Sequence, residues 1–247
     1  MAFLDSLFVF VFAVVYPIAG FIGFRRLRAK IEAGQPFDRN RLYVSTTSWH
    51  WIIFAAGLIV WGHSGRSWVL LGFGLDLNSR FLIGAVLTVA GMAFLVAQLR
   101  RIGRAGQKDL DRVNAEFGCL LLIVPRNRGE LARFNVLSVT AGIVEETLWR
   151  GFLIWYLAQS MPLWVAALMS AVGFGIAHGY QGRAQIPRVA AVGAVLAGLY
   201  VLSGSLWLPM VLHAAVDLLQ GRLAYDVLQR SENSDSNQER AEAQTSS

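Results

Sequence analysis

The stretch FNVLSVTAGIVEETLWRGFLIWYL, residues 134–157, decides how the rest of the chain is read. It is long enough to cross a bilayer as a helix, and nearly all of it is apolar. Its middle nevertheless carries Glu145, Glu146 and Arg150. Charge at that depth is costly, so an ionisable residue inside a span is a functional hypothesis by default. Glu146 and Arg150 are four positions apart and face each other on a helix. They can pair, and this reading makes them a supporting ion pair. Adjacent helical positions point about 100° apart, so Glu145 and Glu146 cannot share one partner equally. Glu145 has no local cation. It must find a partner on another helix, take up a proton, or face water.

Working outward, the chain of 247 residues is 55% hydrophobic and 15% charged, against about 25% charged in an ordinary soluble domain. The charge vanishes over long runs and returns in short basic clusters, the pattern of membrane spans and loops. Apolar runs stand at about 3–24, 44–62, 81–99, 134–157, 162–178, 189–202 and 206–220. They predict an all-α, polytopic transmembrane helix bundle of about seven spans. The 24 glycines suit close helix packing in lipid, and the 8 tryptophans suit its interfaces. Residues 71–75 read as a piece dipping into the interface, 117–124 as an interfacial segment too short to cross, and the polar tail from Ser231 as disordered. The first run is too long for a signal-peptide core and is followed by Arg25, Arg26 and Arg28, so it reads as a retained span.

Basic residues fix the orientation. Loops 25–43, 100–133 and 179–188 and the tail hold nearly all Lys and Arg, whereas the intervening loops hold Arg66 and Arg80. A cell-membrane protein with its N-terminus outside and its C-terminus in the cytoplasm follows. The net charge of +6 is accounted for in the same way and does not call for nucleic acid. Cys119 is the one cysteine, which excludes an intramolecular disulfide. The chain divides into residues 1–133 with three spans and a basic cytoplasmic loop, a catalytic core at 134–220, and a polar cytoplasmic tail at 221–247.

Two further spans bring ionisable groups to membrane depth. One ends in Phe174-Gly175-Ile176-Ala177-His178; the other contains His213-Ala214-Ala215-Val216-Asp217. Each has a modest reading of its own: an interfacial histidine, and a local His–Asp bond between positions four apart. His50, flanked by Trp49 and Trp51, reads as interfacial, and His63 as a loop residue. In helices of alternating direction, however, Glu145, His178, His213 and Asp217 can converge in the cytoplasmic half of the bundle. A carboxylate and an imidazole sharing a water make a general base, and a facing polar pair can stabilise an oxyanion. The same four residues are also a plausible zinc set.

The ordered motifs Glu145-Glu146-x-x-x-Arg150, Phe174-x-x-x-His178 and His213-x-x-x-Asp217 resemble those of the CPBP intramembrane proteases, also called the type II CAAX prenyl protease or Abi family. The resemblance covers about 136–220. It implies an endopeptidase that cuts a membrane-tethered protein or peptide at the bilayer, with water activated by Glu145 and His178 and an oxyanion side formed by His213 and Asp217. It implies no cofactor, with Zn2+ held by Glu145, His178, His213 and Asp217 as the alternative. Asp217 stands where family members carry Asn or Asp, and an ionised carboxylate cannot donate the hydrogen bond that an amide can. The rival from another class is a non-proteolytic immunity or scaffold protein whose polar cluster only fixes helix packing.

Overall fold

The computed structural model describes residues 3–103 and 122–245. Seven helices stand where the seven apolar runs predict them, and no strand occurs among the described residues. They are α1 (Phe3–Glu32), α2 (Arg39–His63) and α3 (Ser79–Gly103), then α4, which runs from Arg128–Glu146 through a π-helical stretch Thr147–Leu153 into Ile154–Leu157. They continue as α5 (Leu163–Ala177), α6 (Gln185–Ser203) and α7 (Trp207–Thr245). The fold is an all-helical membrane bundle. Four helices, α1, α2, α3 and α6, are long and apolar enough to span by composition alone, and α5 is a shorter apolar helix. The other two, α4 and α7, carry most of the polar cluster. Ile59, Val86, Val195 and Val211 project outward from the helices, as on a surface made for lipid.

α4 sits at the centre, against α2 on one side and α7 on the other. The α4–α7 crossing is close because of Gly142: a Cβ there would lie 2.9 Å from the backbone N of Ala214 and from the carbonyl O of Met210. Gly175 does the same for α5 and α6, where a Cβ would lie 2.7 Å from the Ile186 carbonyl. Small residues that let backbones approach are the usual device of helix packing in lipid. An aromatic column fills the space between α1, α2, α4 and α5, with Phe12 edge-on to Trp149 at 5.9 Å and Trp149 edge-on to Phe174 at 5.7 Å.

Both arginines of the intervening loops have structural partners. Arg66 forms a two-pronged ion pair with buried Asp5, at 2.8 and 2.6 Å, and lies over Trp155. Arg80 donates to the carbonyls of Val201 and Leu202 at the end of α6. The 71–75 piece packs inward rather than resting at an interface: Leu71 is buried, and Leu206 N donates to the Gly72 carbonyl at 2.8 Å.

Two expectations need correction or restriction. The tail from Ser231 is not irregular; its backbone continues α7 to Thr245. The chain has no Gly or Pro after Gly221 to break the helix, and the run Gln-Glu-Arg-Ala-Glu-Ala-Gln at 238–244 propagates one well. The segment at 117–124 lies mostly outside the described residues, as does Cys119; at its end, the Tyr43 hydroxyl donates to the Ile123 carbonyl at 2.6 Å.

Candidate active site

The site is built around α4. Glu146 and Arg150 have no exposed side-chain surface, and Arg150 Nη1 donates to Glu146 Oε1 at 2.7 Å. Arg150 Nη2 donates to the Gly193 carbonyl on α6 at 3.2 Å, and its guanidinium lies 4.3 Å from the centre of the Phe174 ring. The supporting pair read from the sequence therefore ties three helices together. The π-helical stretch begins immediately after Glu146. Such a turn widens the helix and upsets its hydrogen-bond ladder; here Ser170 on α5 donates to the Trp149 carbonyl at 2.7 Å.

His213 differs from its sequence reading. The local His–Asp bond is not made, since His213 Nε2 stands 3.7 Å from Asp217 Oδ2. Instead Nδ1 is 2.7 Å from Glu146 Oε1, so Glu146 receives both Arg150 and His213 on one oxygen. The close α4–α7 crossing at Gly142 makes this contact possible. The opposite ring nitrogen, Nε2, faces Glu145 Oε2 at 4.0 Å. A single imidazole thus lies between the two adjacent carboxylates, one to each nitrogen.

Glu145, His178, His213 and Asp217 do come together. His178 follows the last residue of α5, where Nδ1–H donates to the Phe174 carbonyl at 2.8 Å. A carbonyl oxygen only accepts, so that contact settles which nitrogen carries the hydrogen in the neutral ring. His178 Nε2 then points into the site, 3.7 Å from Glu145 Oε2. Glu145 Oε2 is buried and makes no hydrogen bond to the protein. Asp217 is the most open member, with a third of its side chain exposed.

The partner of Glu145 is a residue that sequence reasoning placed elsewhere. His50, read as interfacial, is buried on α2, and its Nε2 lies 3.0 Å from Glu145 Oε1. Nothing in the sequence near position 50 signals this, because the two residues are 95 positions apart. The available hint was the lone carboxylate itself, which required a cation, a proton or water on another element.

Chemically, the arrangement is a carboxylate with one oxygen tied and the other facing two imidazole nitrogens. That is a set of groups able to take a proton from a water and hand it on. As placed, the described residues contain no group of three or more His, Cys, Asp or Glu side chains that could hold a metal ion.

Residues 127–219 match the family model described as type II CAAX prenyl endopeptidase Rce1-like. No curated protein and no solved structure matches the chain. The matched segment contains all three motifs, and with them Glu145, Glu146, Arg150, His178, His213 and Asp217. In sequence motif, helical setting and family model alike, residues 127–219 are similar to the type II CAAX prenyl proteases.

Proposed function

We propose that this protein is an intramembrane endopeptidase that hydrolyses a peptide bond of a membrane-tethered protein or peptide, using water activated by Glu145 and His178. The observation that carries the reading is the unpaired Glu145 Oε2, buried and 3.7 Å from His178 Nε2. A water between these two atoms gives its proton to the carboxylate as its oxygen attacks the scissile carbonyl. Glu145 then passes that proton to the leaving amine, acting as base and afterwards as acid. Across the site, His213 and Asp217 face the developing oxyanion. With Nδ1–H directed at Glu146, His213 Nε2 carries a proton in the imidazolium form, and in that form it donates to the oxyanion. Asp217 donates when its carboxyl is protonated.

A zinc-dependent protease using the same residues is the second reading. It is favoured by one feature: the Nδ1 atoms of His178 and His213 both face oxygen acceptors, the pattern that orients metal-binding imidazoles. The test is turnover of a membrane-tethered peptide by the purified protein in lipid, with Glu145→Gln as control and metal content measured on the same samples. Cleavage by the wild type and none by the variant supports an enzyme over a scaffold.

A further inference from the structure

His50 and Tyr16 lie on α2 and α1, outside the family-matched segment, yet both reach the site. His50 Nδ1 is 2.9 Å from the Thr46 carbonyl, which can only accept, so Nδ1 bears a hydrogen. The Tyr16 hydroxyl stands 3.3 Å from the same nitrogen, and its ring lies edge-on to the imidazole. With Nδ1–H committed, the 3.0 Å contact between His50 Nε2 and Glu145 Oε1 is a hydrogen bond only if the two groups share a further proton. The pair is then imidazolium with carboxylate, or imidazole with carboxylic acid.

From this we infer that His50 is a positioning residue for Glu145: by tying Oε1 it turns Oε2, the oxygen without a partner, toward Nε2 of His178 and His213. The reactive half of the carboxylate is thus selected from α2, and the site of residues 127–219 is completed by the N-terminal helices. This rests on the reading of Glu145 as the base. The shared proton also leaves Glu145 with a counter-charge that its own helix does not supply, since Arg150 is engaged by Glu146.

The test compares His50→Leu and His50→Gln with the wild type, in lipid, by kcat, KM and thermal stability. Leucine leaves Oε1 unheld, and a carboxylate free to turn is misplaced by about an ångström, for which roughly a 100-fold fall in kcat is expected. KM should stay within about twofold, because no substrate contact is removed. Glutamine places an amide N–H near the position of Nε2 and should recover at least about tenfold of the loss. Unchanged kcat per folded molecule in His50→Leu, whatever its stability, overturns the inference. So does a His50→Gln variant that folds like the wild type and is no more active than His50→Leu. If Glu145→Gln retains turnover, the base assignment fails as well, whereas an inactive Glu145→Gln beside an active His50→Leu removes the positioning role alone. A readout that needs no substrate is the ring-nitrogen NMR signal of His50, assigned by its loss in His50→Gln. It should shift in Glu145→Gln, and an unmoved signal contradicts the contact.

Discussion

We propose different duties for the neighbours Glu145 and Glu146, and substitution should separate them. Glu146 is fully enclosed with Arg150 and His213 on one oxygen. Glu146→Gln leaves Arg150 as a buried charge without its counter-ion, and breaking such a pair costs roughly 3–5 kcal/mol. Thermal unfolding in lipid should show that loss. Glu145→Gln keeps the shape, and its amide can donate to His50 Nε2, so stability should change little while turnover falls by at least about 100-fold, the low end for a lost general base. Asp217 discriminates mechanisms in the same assay. If residue 217 must donate a hydrogen bond, Asp217→Asn retains much of the activity and Asp217→Ala loses most of it; if Asp217 is a zinc ligand, Asn fails and bound metal falls with it. Much of this was legible from spacing. Glu146 and Arg150 are four apart on one helix, so their pairing follows from helical geometry. The bond from His213 to Glu146 was not legible, since it depends on how closely α7 approaches α4. Nor was His50, whose tryptophan neighbours gave it the look of an interfacial residue.

At the scale of elements, the apolar runs located the seven long helices of the described residues, because in lipid a spanning segment must satisfy its backbone internally and the helix does so. The π-helical stretch after Glu146 has no comparable signature: Thr147–Leu153 is largely apolar like its flanks, and the Trp149 carbonyl takes a hydrogen bond donated by Ser170 of a neighbouring helix. The α4–α7 approach is where an element-level change should be felt most. Gly142→Val would drive a side chain into the Ala214 backbone, and overpacking of this kind costs about 1–3 kcal/mol or more. It should also separate His213 from Glu146. Reduced thermal stability together with lost turnover is the expected outcome, and a variant with wild-type stability would show that the helices can part without consequence.

For the molecule as a whole, we propose that the polar cluster lies toward the cytoplasmic side. The motivation is the distribution of Lys and Arg among the loops. A reporter fused after Gly106 or at the C-terminus should report cytoplasm, and one in the loop at 63–80 should report the outside; a cytoplasmic signal from that loop would put the site in the other leaflet. The composition that revealed a membrane protein also explains which helices are atypical, since α4 and α7 give up apolar character to carry Glu145, Glu146, Arg150, His213 and Asp217. We propose that this cluster hydrolyses peptide bonds through Glu145. The most direct measurement is turnover of membrane-tethered peptides by the purified protein in lipid bilayers, beside Glu145→Gln, with zinc determined in both. Cleavage by the wild type without stoichiometric zinc, and none by a folded Glu145→Gln, is the predicted result. Equal cleavage by the two proteins, or activity that follows bound zinc, would contradict it.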